Sequence, residues 1–101
     1  MLDTVRFDPV QLKSAAALLS SLASEPRLLV LCRLREGEAS VGELAEQCGL
    51  SQPAMSQQLK RLRDAGLVGT RRKGQTILHG LASLEAEAVL DVLYSLYCQK
   101  R

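Results

Sequence analysis

At 101 residues the chain can bury one modest hydrophobic core and no more. Some 47% of it is apolar, yet only Phe7, Tyr94 and Tyr97 are aromatic, so Leu, Ala and Val must build the interior, which favours packed helices over a sheet sandwich. The net charge of +2 excludes a strongly basic or acidic chain, and the lack of any apolar run of about 18 residues excludes a membrane span. The opening MLDTVRFDPV has neither the basic start nor the apolar middle of a signal peptide, so the expected location is the cytoplasm.

Residues 1–8 form a mixed polar lead-in expected to be poorly ordered. Pro9 then opens a helix to about Ala23, with Val10, Ala16, Leu18, Leu19 and Leu22 as its apolar positions. Ser24 caps the next helix, with Pro26 in its first turn. From Leu28 to Leu34 that helix is apolar almost all round, which predicts burial on most sides. It should end near Gly37. Ser40 and Glu43 make a capping box for a short third helix carrying Val41, Leu44, Ala45 and Cys48 on one side. Gly49 suits the left-handed residue that ends it. Ser51 caps a fourth helix, Pro53 fits its first turn, and Met55, Leu59 and Leu62 fall on its inner face at i, i+4, i+7. After Ala65-Gly66 the period changes to that of strands, Leu67 to Arg71 and Gln75 to Leu81, with Arg72-Lys73-Gly74 as the hairpin tip. Ser83 caps a last helix from about Leu84 to Gln99, whose stripe of Ala88, Val89, Val92, Leu93 and Leu96 has no element left to cover it. Such a stripe is a candidate dimer seam.

Charge along the chain is uneven. Residues 1–50 hold five basic and seven acidic groups. Residues 51–73 hold Lys60, Arg61, Arg63, Arg71, Arg72 and Lys73 against Asp64 alone, and residues 74–101 hold two basic and three acidic groups. A solvated charged face is the plain alternative, but a +5 segment on two adjacent elements is the electrostatic footprint of a polyanion site. The outer face of the fourth helix offers Gln52, Ser56 and Gln57, whose amides and hydroxyls suit base edges in a major groove. Ser51 stands at its start. Lys60, Arg63, Arg71, Arg72 and Lys73 suit phosphates, as positioning contacts. Helix, helix, helix, helix, strand, strand, helix is a mainly α winged helix-turn-helix: five helices plus a two-stranded β-wing, read as one domain over residues 1–101. The helix-turn-helix occupies about 41–65 and the wing about 67–81. The terminal helices, about 9–23 and 84–99, pair two copies. Winged helices also serve as protein-interaction modules, but those need no basic reading face. An enzyme has no support: there is no C-x-x-C, no glycine-rich phosphate loop and no Ser/His/Asp set, and the single histidine, His79, sits on a strand as a surface or packing residue.

From Leu22 to Leu81 the chain resembles the ArsR/SmtB family of bacterial repressors. The matching pieces are SEPRL at the second helix, VGELA, LSQPAMSQQL, and LRDAGLV followed by a basic wing. The resemblance implies a homodimer that binds palindromic double-stranded operator DNA and releases it when an inducer arrives. Members of that family often carry a paired-thiol metal site in the buried helix, or a His/Asp/Glu zinc site on the last one. Here the buried helix holds one thiol, Cys32, and the last helix has Glu85, Glu87 and Asp91 but no histidine, so no metal or cofactor is expected. The alternative of a metal- or metalloid-responsive repressor, using Cys32 with other thiols, remains open.

Three cysteines, Cys32, Cys48 and Cys98, are each readable as plain packed thiols. One cysteine within LCRL of the buried helix and one closing LYSLYC at the end are similar to the BigR/SqrR/HlyU branch of the family, which senses persulfides and oxidants. That similarity implies Cys32 as the sensing thiol and Cys98 as its partner, responding to reactive sulfur species or oxidant; Cys48, on the inward face of the third helix, reads as a packed bystander. Arg27, Arg33 and Arg35 are near enough in sequence to lower a thiolate pKa. A bridge would tie the last helix to the buried one. It would thereby change the spacing of the two reading helices, which must sit roughly 34 Å apart.

Overall fold

The computed structural model describes residues 8–98; all but Asp8 of the polar lead-in of residues 1–8, and the expected end at Gln99, lie outside them. Eight elements follow in order: α1 (Pro9–Leu22), α2 (Glu25–Arg35), β1 (Ala39–Ser40), α3 (Val41–Cys48), α4 (Gln52–Asp64), β2 (Val68–Lys73), β3 (Thr76–Leu81) and α5 (Leu84–Tyr97). Local chemistry sets most boundaries. The side chains of Asp8, Ser24, Ser40, Ser51 and Ser83 each accept a backbone N–H in the first turn of the helix they precede. Ser40 and Glu43 form the complete reciprocal box. At the turn between α3 and α4, Gly49 adopts φ 70° and lets the Leu50 N–H reach back to the Ala45 carbonyl at 2.9 Å.

One aliphatic core holds the elements together. It comprises Leu22 of α1, Val30, Leu31 and Leu34 of α2, Ala39 of β1, Leu44 and Ala45 of α3, and Met55, Leu59 and Leu62 of α4. Leu67 and Val68 of the wing and Ala86 and Leu90 of α5 complete it. Among the described residues, no aromatic ring enters this core. α1 and α2 meet at 96°, and no single described helix is long and apolar enough to cross a membrane.

Three expectations need correction. The wing sheet has three strands, in the order β1-β3-β2, and not two. Ala39 and Ser40 pair antiparallel with His79 and Leu78, a two-residue strand too short to leave any alternation in the sequence. The hairpin tip is Gly74-Gln75, so Arg72 and Lys73 belong to strand β2, where they pair with Ile77 and Thr76. Gly74 has φ 64° and Gln75 does not share the positive φ, as a type II′ turn with glycine at its first central position requires. Finally, α2 is not buried on most sides: Leu29 is 51% exposed, and Leu28 and Cys32 are half-buried. That side of the helix faces a groove.

The apolar stripes of the outer helices are likewise divided. α5 sends Ala86 and Leu90 into the core and leaves Leu84, Val92, Leu96 and Tyr97 exposed. α1 buries only Leu22 and leaves Val10, Leu12 and Leu19 exposed.

Candidate DNA interface and thiol groove

Helix α4 has two chemically distinct faces. Met55, Leu59 and Leu62 are buried against α2 and α3 while Gln52, Ser56, Gln57, Lys60 and Arg63 are exposed, as is the capping Ser51. Arg61, to which the sequence reading gives no role, is exposed one turn beyond Gln57 on the same face. Its i+4 spacing from Gln57 was the available signal. Two of the expected phosphate-binding cations are engaged within the chain. Lys60 donates to Asp64 at 3.0 Å, an exposed i,i+4 pair of little strength. Arg71 is held more firmly: its Nε stands 2.8 Å from both carboxylate oxygens of Glu38. That guanidinium keeps the Glu38 carboxyl below its ordinary pKa. Glu38 reaches Arg71 by lying over β3 at Gly80, where an added Cβ would come within 3.1 Å of the Glu38 Cγ. Arg72 and Lys73 are exposed on β2.

His79 is a packing residue, 6% exposed, and its Nδ1 has no partner. Burial lowers its pKa, and the nearby charge of Arg63 adds to the effect, against a hydrogen bond at the Ala39 backbone that works the other way. A depressed native pKa means the unfolded chain binds the proton more tightly. The stability from neutral His79 is therefore complete above its ordinary pKa of about 6.5 and is lost as the pH falls below it. Urea midpoints should decline from pH 7 to pH 5, and His79→Leu should flatten that slope. The stability from Glu38 and Glu43, whose pKa values are also depressed, stays complete down to the ordinary carboxylate pKa and is lost only below it, so the windows separate.

The three cysteines share one place. Cys32, Cys48 and Cys98 all line a shallow groove of about 970 Å³, together with Glu25, Pro26, Leu28, Leu29 and Leu50. Cys98 arrives there because of the face it occupies on α5. Asp91, Tyr94 and Cys98 follow one another at i, i+3, i+7, and the first two engage Arg35 of α2. Arg35 Nε donates to Asp91 at 2.6 Å, and its guanidinium carbon lies 4.1 Å from the centre of the Tyr94 ring. The third member of the row is thereby turned toward α2 and Cys32.

The thiol chemistry differs from expectation in one respect. Burial pushes the Cys32 pKa up, and the neighbouring Cys98 pushes it further; Arg35 pulls down without prevailing, and Glu36 opposes it. Arg27 and Arg33 lend no help because they are directed elsewhere. Arg27 caps the end of α1 through the Ser21 and Ser20 carbonyls, and Arg33 donates to Gln47 and the Gly37 carbonyl. Cys48 is raised as well, by burial, with Arg33 only partly offsetting it. Cys32 in this conformation is thus a desolvated thiol and not a low-pKa thiolate. Among the described residues, no group of three or more His, Cys, Asp and Glu side chains stands ready to hold a metal ion.

Comparison with known proteins agrees with this architecture. The model of the bacterial regulatory protein arsR family matches residues 24–70. Over 85 residues the chain is 48% identical to the transcriptional activator HlyU of Vibrio cholerae, covering 84% of this chain and 79% of that protein. It is 45% identical over 83 residues to a biofilm growth-associated repressor of Xylella fastidiosa, covering 82% of this chain and 73% of that one. The solved structure of reduced HlyU from Vibrio cholerae matches with a TM-score of 0.82 at 47% identity, over 86% of this chain and 92% of that one. These matches place the chain in the ArsR family, whose members are DNA-binding transcriptional regulators and not enzymes.

Proposed function

We propose that the protein is a homodimeric, dithiol-switched repressor that holds a palindromic operator and releases it when Cys32 and Cys98 react with a persulfide, another reactive sulfur species or an oxidant. The observation that carries this reading is the convergence of the two thiols, 66 positions apart in the chain, on one groove between α2 and the end of α5. With a persulfide, Cys32 as thiolate takes the outer sulfur and the donor leaves as a thiol. The Cys98 thiolate then attacks the Cys32 Sγ and expels hydrosulfide, closing a disulfide. Two thiols are oxidised and the sulfane sulfur is reduced to sulfide, which carries away a thiol proton.

The bridge would fasten the end of α5 to α2. The exposed apolar residues of α1 and α5 are the surface on which a second copy would pair, so a change in α5 alters how far apart the two α4 helices stand. Treating the reduced protein with a persulfide donor while following operator binding tests the switch, with disulfide formation read by mass spectrometry. A cytoplasmic setting fits such a bridge, because reducing conditions there keep it transient.

On the DNA side, Gln52, Ser56 and Gln57 would meet base edges and Lys60, Arg63, Arg72 and Lys73 would meet phosphates. Gln57→Ala should blunt discrimination between operator and unrelated duplex. Arg72→Ala should weaken both about equally and reduce the salt slope by about one. Binding isotherms on both duplexes at several salt concentrations separate the two outcomes. Arg71 should contribute less than its neighbours because Glu38 competes for it. Glu38→Gln removes the competitor and a negative charge together, so it should tighten binding to any duplex several-fold and steepen the salt dependence by about one contact. Unchanged affinity in Glu38→Gln would mean that the wing lies off the backbone at Arg71.

A further inference from the structure

The chemistry of the thiol groove restricts what can deliver sulfur to it. Its walls are Pro26, Leu28 and Leu29 of α2 and Leu50 of the turn after α3, with the three thiols set among them. Leu29 offers a half-exposed aliphatic side chain at the rim. Among the described lining residues the only ionisable group besides the thiols is an acid, Glu25. The arginines that the sequence places nearby are turned to other partners: Arg27 to the end of α1, Arg33 to Gln47, and Arg35 to Asp91. Burial raises the pKa of the Cys32 and Cys48 thiols, which disfavours a thiolate charge at either. A carboxylate-bearing donor would therefore meet a carboxylate and an apolar wall, with no cation among the described lining residues to replace its lost hydration. An uncharged apolar donor would gain by burial instead, in a groove of the size that takes small ligands.

Resting on the thiol-switch reading, we infer that the groove is a binding site for an uncharged, apolar sulfur compound of the diorganyl polysulfide class. The compound docks on Leu28, Leu29 and Leu50 and delivers its sulfur to Cys32. With a trisulfide, the Cys32 thiolate attacks a terminal sulfur, forming a mixed disulfide and expelling the organic persulfide anion. Cys98 then attacks the Cys32 Sγ and expels the organic thiolate, completing the intrachain disulfide. The two thiol protons end on the persulfide and thiol products. Cys48 closes α3 and Leu50 follows the turn glycine, so a docked molecule also touches the helix-turn-helix itself.

The test compares dipropyl trisulfide with glutathione trisulfide, which share the reacting sulfurs and differ in charge and polarity. Rates of Cys32 modification in the reduced full chain are measured by mass spectrometry and divided by the rates with free N-acetylcysteine. The apolar compound is expected to be favoured by about tenfold or more after that correction, the scale on which apolar pockets discriminate. Leu29→Glu, at an exposed position that leaves the core untouched, should remove most of the preference, and Glu25→Gln should speed the glutathione compound. Equal corrected rates, with both compounds still releasing DNA, would overturn the apolar site and leave the thiol switch standing. If neither compound modified Cys32 or released DNA, both would fall. If a second copy of the chain covers the groove, both rates should be slow in the dimer and rise on dilution, and that result would also overturn the inference.

Discussion

Cys32→Ser should bind operator DNA as tightly as the unaltered protein, within about twofold, and should no longer release it when a sulfur donor is added. The unaltered protein should lose at least about tenfold in affinity under the same treatment, the ordinary size of a coupling between two sites. The reasoning is geometric. Cys32 is on the groove side of α2, away from the α4 face proposed to meet DNA, so losing its sulfur should remove no DNA contact. Serine keeps the size and a hydrogen-bonding group, so α2 should not rearrange. Cys98→Ser should differ in kind: Cys32 could still take up a sulfur or form a mixed disulfide, but no intrachain bridge could close. If release needs the bridge and not the modification, both variants stay bound to DNA, and peptide mapping finds the added mass of Cys98→Ser on Cys32. The raised pKa of Cys32 adds a rate signature. Because the thiolate is the nucleophile, modification should accelerate as the pH rises through neutral into the alkaline range. Among the described residues Arg35 is the cation pulling the other way, and it is held in place by Asp91 and Tyr94. Operator-binding isotherms before and after donor treatment, for the three proteins, check the whole set.

The helix-turn-helix was legible in the sequence because its information is local. A capping box, a left-handed glycine and a serine cap lie within twelve residues, each acting through backbone groups of its own turn. The buried trio of α4 was legible for the same reason, as a 3.6-residue period reports which face is inside. What could not be read is whatever depends on distant partners. Strand β1 exists because β3 is there to pair with it. The engagement of Arg71 depends on Glu38, 33 positions earlier, and on the room left by Gly80. The expectation of a low-pKa thiolate failed for a related reason. Sequence proximity placed three arginines near Cys32 and could not tell that two had better acceptors, nor that desolvation would dominate. The shared groove could have been glimpsed in the row Asp91, Tyr94, Cys98, an acid and a ring above a thiol on one face of α5. Seeing its meaning required knowing that Arg35 lies opposite.

The largest loss of stability is expected from the inner face of the reading helix. Leu59 is fully buried among α4 and its neighbours, and Leu59→Ala would leave a cavity that the rigid helix-turn-helix cannot collapse around. The cost should be about 2–5 kcal/mol, against a total of about 5–15 kcal/mol for a domain of this size. At roughly 4–8 °C for each kcal/mol, the melting temperature should fall by about 10 °C or more. Gln57→Ala, two positions earlier but on the opposite face, should shift it by no more than a few degrees, because its side chain leaves water for nothing in the free protein. Thermal melts and DNA binding should therefore sort variants of one helix into two sets. Leu59→Ala loses stability first, and binding only as the folded fraction declines. Gln57→Ala loses operator discrimination at full stability. A Leu59→Ala protein that melts normally would mean that α4 is not anchored through this face, and that the spacing of the two reading helices is set elsewhere.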